Sequence, residues 1–183
     1  MKKIYILDLI IILIFSAGIA LLRPDLAIFA AAVFTIPYLL LTKRKHLLKN
    51  LLLSANIAII WFLIGHNQYK YRFNYLAIGE LNFYPFFAWS LGLFGVFLLY
   101  SLFTKKHHGF LKKIILYSVI YWILLIAFET IGYHVFNIQD IATASYPGLP
   151  ICNCIHAPWW MKIAYLILGP IYFSLVHLLK LEK

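Results

Sequence analysis

The chain has 183 residues, 64% of them hydrophobic and 12% charged, with a formal net charge of +10. A soluble domain carries about a quarter charged residues to solvate its surface. Half that share, with a mean hydropathy of +0.88, excludes a soluble globular protein and leaves a polytopic membrane protein built as one bundle.

Six apolar runs approach the ~20 residues needed to cross about 30 Å of hydrocarbon: 4–22, 25–42, 47–65, 85–103, 114–136 and 160–179. The expected fold class is an all-α integral membrane protein. It is a six-helix transmembrane bundle spanning 1–183 as a single domain, with two longer outward-facing loops.

The first run follows Lys2 and Lys3 and ends in Ser16-Ala17-Gly18-Ile19-Ala20, as a signal peptide would. It is longer than a signal core and is interrupted by Asp8, which favours a retained anchor. Asp8 lies about one turn inside that run, within reach of the interface or of Lys2 and Lys3. Arg23-Pro24-Asp25 reads as a tight turn with proline opening the second helix. The third run is short and extends back through Leu47 and Leu48, with Lys49 snorkelling to the interface. Its Asn50, Ser54 and Asn56 read as interhelical hydrogen-bond glue.

Tyr69-Lys70-Tyr71-Arg72-Phe73-Asn74-Tyr75 alternates aromatic and polar residues. An extended chain turns all four rings to one side. They form either an interfacial belt on lipid headgroups or an aromatic lid over a cavity. In the fourth run, Gly92 and Gly95 read as positions of close helix contact.

The fifth run carries the leading candidate. Glu129 follows the nearly unbroken apolar stretch Ile114–Phe128, and ~1.5 Å of rise per residue puts it in the outer third of the bilayer. A carboxylate there is costly and faces a cavity or a partner. Tyr133 lies one turn on, beside Gly132 and His134, and Trp122 and Ser118 continue the stripe inward. The competing reading is a staple in which Glu129 pairs with His134, Lys70, Arg72 or Lys162.

In the connector 137–159, Tyr146-Pro147-Gly148-Leu149-Pro150 is a turn signal. Cys152, Cys154 and His156 follow at intervals of two. On an extended chain they share a face, and two thiols with an imidazole suit zinc or copper. A fourth ligand would come from His66, His134, Asp140 or Glu129. The alternatives are thiols or a disulfide with a structural role, and redox chemistry. An extended Cys-x-Cys holds its α-carbons at or beyond the bridging limit, so a disulfide requires a bent backbone or a partner chain. In the sixth run, Gly169-Pro170 frees a carbonyl and kinks the helix in mid-span.

Lys2, Lys3, Lys43, Arg44, Lys45, Lys49, Lys105, Lys106, Lys112, Lys113, Lys180 and Lys183 fall on one side of these runs. Arg23, Lys70, Arg72 and Lys162 fall on the other. The first set faces the cytoplasm by the positive-inside rule, with both termini. His107 and His108 sit among the inner lysines and read as solvated. The basic residues flank helices and lie on no polar domain, so no nucleic-acid partner is expected. Membrane lipid and a lipophilic small molecule are the partners the composition allows, in a cell membrane, with the bacterial inner membrane as the default. Trp61, Trp89, Trp159 and Trp160 lie toward the outer side, at headgroup level.

No nucleotide-binding loop, zinc-protease helix or nucleophile elbow occurs. Two function classes remain. One is a membrane-embedded enzyme acting on an isoprenoid, quinone or lipid, with Glu129, Tyr133 and His134 as catalytic groups. The other is a metal or small-solute binding or transport protein that uses Cys152, Cys154 and His156. An accessory subunit docking through its outer aromatic loops is the plainer option.

Overall fold

The computed structural model describes residues 2–21, 23–104 and 109–182 and, within these, all side chains except those of 2–5, 16 and 19–21. Six helices dominate these residues: α1 Lys2–Leu21, α2 Pro24–Leu41, α3 Leu48–Gly65, α4 Tyr84–Phe103, α5 Phe110–His134 and α6 Trp159–Leu178. Each starts and stops within a few residues of a hydropathy run. α2 to α6 are long and apolar enough to cross a membrane, whereas the apolar stretch described in α1, Ile6–Phe15, is shorter. Phe34, Leu52, Leu63, Ile123 and Phe128 stand exposed on the helices, as a surface solvated by lipid requires.

Of the basic residues read as orientation signals, Lys105, Lys106 and Lys183 lie outside the described residues, with His107 and His108. So do the side chains of Lys2 and Lys3.

Helix α4 is central and touches each of the other five. α3 packs along it most extensively, while α1 pairs with α2 and α5 with α6. The core joins Leu93, Phe97 and Tyr100 of α4 to Tyr117 and Tyr121 of α5 and to Tyr172 and Phe173 of α6. The Phe173 ring centroid lies 4.9 Å from that of Tyr100 and 4.8 Å from that of Tyr117. One close approach depends on a missing side chain: a Cβ at Gly169 would lie 2.4 Å from the Tyr121 ring. Gly92 and Gly95 do not have the expected role, since a Cβ at either would meet nothing within 4 Å.

Polar residues fasten the basic end of the bundle. Asp8 is buried and accepts from both terminal nitrogens of Arg44, at 2.7 and 2.5 Å, and from the Tyr38 hydroxyl at 2.7 Å. Its partner is thus the loop after α2, which lies closer than the interface once α1 packs on α2. Asn50 donates to the Leu181 carbonyl at 3.2 Å, tying α3 to the segment after α6. Ser54 and Asn56 bond instead within their own helix, to Leu51 and Leu52.

The opposite end carries the two longer connectors, 66–83 and 135–158. The first opens with a 3-10 turn, His66–Gln68, runs extended, and closes in a small antiparallel hairpin that the all-helical reading lacks. Its strands are β1 Ala77–Ile78 and β2 Leu81–Asn82, joined through Gly79 at φ +61°. Asn82 then holds the loop to α4, donating to the Phe73 carbonyl at 2.8 Å and accepting from the Tyr84 N–H at 3.0 Å. Asn82 thereby satisfies a backbone N–H that the helix start leaves open.

Candidate functional site

The extended stretch 69–73 builds one wall of the candidate site. Tyr69, Tyr71 and Phe73 stack, with centroids 6.4 and 5.0 Å apart and interplanar angles of 11° and 16°. This is the one-sided arrangement that alternation at period two dictates. Tyr75 leaves the row. Its N–H donates to the buried Asp25 at 2.8 Å and its ring lies against Phe29 and Arg23, because Asp25 captures the chain where it begins to turn. Tyr84, in the first turn of α4, sets its ring edgewise to Tyr71 at 5.1 Å and to Phe73 at 4.8 Å. Below this row, Trp61 donates to the Tyr69 hydroxyl at 2.7 Å and that hydroxyl meets Tyr165 of α6 at 3.0 Å.

Glu129 lies on α5, one residue before Thr130, whose hydroxyl meets the Cys154 sulfur in the cluster that also buries Tyr69 and Tyr165. No hydrogen bond or ion pair joins Glu129 to another described residue. The staple reading therefore loses its partners. The Lys162 ammonium donates to the Pro147 carbonyl and lies 4.9 Å over the Trp159 ring. His134 faces the Cys152 carbonyl at 3.0 Å. Lys70 and Arg72 are exposed.

The second acid near Glu129 is Asp140, whose charge acts on it. Asp140 fastens the two connectors together: its Oδ1 accepts from the N–H of Lys70 at 2.9 Å and of Ala142 at 3.0 Å, while the Ile141 N–H returns to the Lys70 carbonyl at 2.7 Å. Burial pushes the Asp140 carboxyl up to about 6, against the two backbone donors that hold it down. Burial also pushes the phenols of Tyr69 and Tyr71 upward, so both remain hydroxyl donors at neutral pH.

Cys152, Cys154 and His156 are brought together, but the metal set expected of them is corrected. The two sulfurs are joined in a disulfide, so neither offers a thiolate to zinc or copper. The backbone is bent as a bridge across one residue demands: Asn153 lies at φ +44° and the α-carbons are 5.1 Å apart. Leu149 closes the turn, its carbonyl accepting from Cys152 and Asn153 and its N–H donating to Cys154. Both ring nitrogens of His156 face backbone carbonyls, of Tyr146 at 2.7 Å and Asn153 at 3.1 Å. Among the described residues no three His, Cys, Asp or Glu side chains are placed to hold a metal ion.

The disulfide loop is a plug seated on the bundle. Cys154, Ile155 and Ala157 are buried against Trp61, Tyr69, Met161 and Tyr165. Thr130, next to Glu129, donates to the Cys154 sulfur at 3.6 Å. Tyr133 stacks on His156 at 4.5 Å and 9°. Of the expected catalytic residues, Tyr133 and His134 thus hold the plug, and Glu129 has no hydrogen-bond or ion-pair partner among the described residues.

Sequence reasoning missed Tyr84, Asn82, Asp25 and the tie made by Asp140. A polar residue just before an apolar run with proline near its start, as in Asn82-Phe83-Tyr84-Pro85, marks a helix opening and was available as a signal. Nothing in the sequence marks Tyr84 as a neighbour of Tyr71 and Phe73. Comparison with protein families, characterised proteins and solved structures found no match to this chain.

Proposed function

We propose that the protein is a six-span membrane protein with both termini in the cytoplasm, and that its outer end acts enzymatically on a lipophilic substrate of the isoprenoid, quinone or lipid class. Glu129 serves as the acid or base. The observation that carries this reading is a carboxyl near the outer end of a spanning helix with no hydrogen-bond or ion-pair partner among the described residues. Intramembrane carboxylates are expensive, and one without a structural partner keeps both oxygens for a ligand. Phe128 and Ile131 are exposed on the same helix, so lipid-facing surface lies within two residues of the acid. Tyr71 and Tyr84 would orient the substrate as hydroxyl donors.

The surplus of Lys and Arg at one end supports the orientation, and the compact loops support the bacterial inner membrane. The test compares lipid, quinone and isoprenoid extracts from bacterial membranes holding equal amounts of wild-type protein or Glu129→Gln. The expected result is a species that wild type depletes or generates and the variant leaves untouched. Identical extracts would remove the catalytic role.

A further inference from the structure

We propose that the Cys152–Cys154 bridge is a thiol–disulfide exchange centre. It takes two electrons from a dithiol, a peptide or protein segment bearing a pair of thiols, at the end of the bundle that carries the long connectors. This activity does not draw on Glu129.

The two sulfurs are unlike. Cys154 is fully buried, with Ile155 and Ala157, against Trp61, Tyr69, Met161 and Tyr165. Cys152 is half-buried and stands between the exposed Ile151 and Asn153 at the rim of the plug. An incoming thiolate attacks the sulfur it can reach, which is that of Cys152. Each sulfur also has a donor of its own. The N–H of Cys154 donates to the Cys152 sulfur at 3.3 Å. The Thr130 hydroxyl, 2.6 Å from the Ile126 carbonyl, lies 3.6 Å from the Cys154 sulfur. A hydrogen bond to a thiolate favours the charged form, and a sulfur stabilised in that form leaves faster.

A purely structural role accounts poorly for this bridge. It closes a loop across one residue, where a bridge restrains the unfolded chain least. Leu149 already fastens the same turn through three backbone hydrogen bonds, to Cys152, Asn153 and Cys154. Asn153 at φ +44° and Ile155 at φ +52° are left-handed, and a β-branched residue there is a costly outlier of the kind that gathers at functional sites.

In the first step a thiolate of the dithiol attacks the Cys152 sulfur. A new S–S bond forms and the Cys152–Cys154 bond breaks. Cys154 leaves with the electron pair beside the Thr130 hydroxyl and takes a proton from water, since burial favours the neutral thiol. In the second step the other thiolate of the dithiol attacks its partner sulfur in the mixed disulfide. Cys152 leaves beside the Cys154 N–H and is protonated in turn. The dithiol loses two electrons and two protons and becomes a disulfide, and the bridge gains both and becomes two thiols. A monothiol stalls after the first step, because Cys154, two residues away, re-closes the bridge faster than a second molecule arrives.

Full-length protein in nanodiscs is mixed with an excess of a reduced bis-cysteine peptide, and open and bridged forms are counted after acid quenching and alkylation. The expected result is one peptide disulfide formed per protein. Thr130→Val slows the reaction at least fivefold and Thr130→Ser restores it, with the melting temperature of the bridged protein retained. Excess glutathione followed by alkylation leaves glutathione on Cys152 and the alkyl group on Cys154, read by fragment mass spectrometry. A bridge that reacts only after the protein is unfolded in SDS, or glutathione found on Cys154, overturns the proposal. An unchanged rate in Thr130→Val overturns the route through Cys154 as the leaving sulfur. Should Thr130→Val fail to fold, the position of glutathione on the wild-type protein decides.

Discussion

The indole N–H of Trp122 on α5 donates to the carbonyl of Leu166 on α6 at 2.8 Å. Leu166 lies four residues before Pro170, which has no N–H with which to close the helical bond to that carbonyl. Tyr121, one residue earlier, donates its hydroxyl to the preceding carbonyl, that of Tyr165. Two adjacent side chains of α5 thus bond to consecutive carbonyls at the proline break of α6.

Removing the indole donor strands the Leu166 carbonyl. Trp122→Phe is expected to lower stability by about 1 kcal/mol, in the range measured for hydrogen bonds between membrane helices. In a Pro170→Ala background the helix supplies its own donor, so the same change should cost less. Thermal melting of the four proteins in detergent gives the coupling directly, and strict additivity would show that the two sites are independent.

Gly169→Ala places a methyl 2.4 Å from the Tyr121 ring. Overpacking of this kind costs about 1–3 kcal/mol. Pairing it with Tyr121→Leu should recover part of the loss. A Gly169→Ala protein that melts like wild type would mean that α5 and α6 are not in register as described.

The Cys152–Cys154 bridge and the proposed outward position of its loop make a combined prediction. A membrane-impermeant maleimide should label intact cells only after reduction by an impermeant phosphine. Labelling that appears only after lysis, with reduction controlled, would reverse the orientation. Gly148→Ala brings a Cβ to within 2.7 Å of the Asn153 backbone, and should raise the fraction of free thiol found without reductant.

Asp140 should give the two long connectors a pH dependence. Its carboxyl titrates near 6 in the folded protein, above the usual 3.8 of an aspartate. The folded state therefore holds the proton more tightly than the unfolded chain, and the contribution of this group is complete below about pH 4 and lost as pH rises through 6. Asp140→Asn keeps the oxygen that accepts from Lys70 and Ala142 and cannot ionise. Its melting temperature relative to wild type should rise between pH 4 and pH 7, and a constant difference would remove Asp140 as the cause.

The helices were legible in the sequence because the bilayer imposes their length and composition; Glu129 stood out because a carboxylate amid apolar residues needs a cavity or a partner, and the sequence did not separate the two. The three-ring stack followed from alternation alone. What escaped was everything decided by a single backbone reversal. An extended Cys-x-Cys would keep its sulfurs apart, but Asn153 at positive φ folds the segment and closes the bridge. Asp25 pulls Tyr75 out of its row by capturing one N–H. Sequence alone leaves Asp8 near the interface because its partner, Arg44, lies 36 residues away, and only the packing of α1 on α2 brings them together. The neighbourhood of Glu129 is assembled from separate stretches of chain, a distribution that hydropathy does not record.

The hairpin formed by Ala77–Ile78 and Leu81–Asn82 closes on itself, and Asn82 ties it to α4 by accepting from the Tyr84 N–H. Its tip, Gly79 and Glu80, is exposed, and a Cβ at Gly79 would touch nothing within 4 Å. Extra residues spliced between these two would extend into water without loading any contact beneath them. An epitope or rigid fiducial inserted there would give imaging and capture experiments a handle that leaves the stacked rings undisturbed.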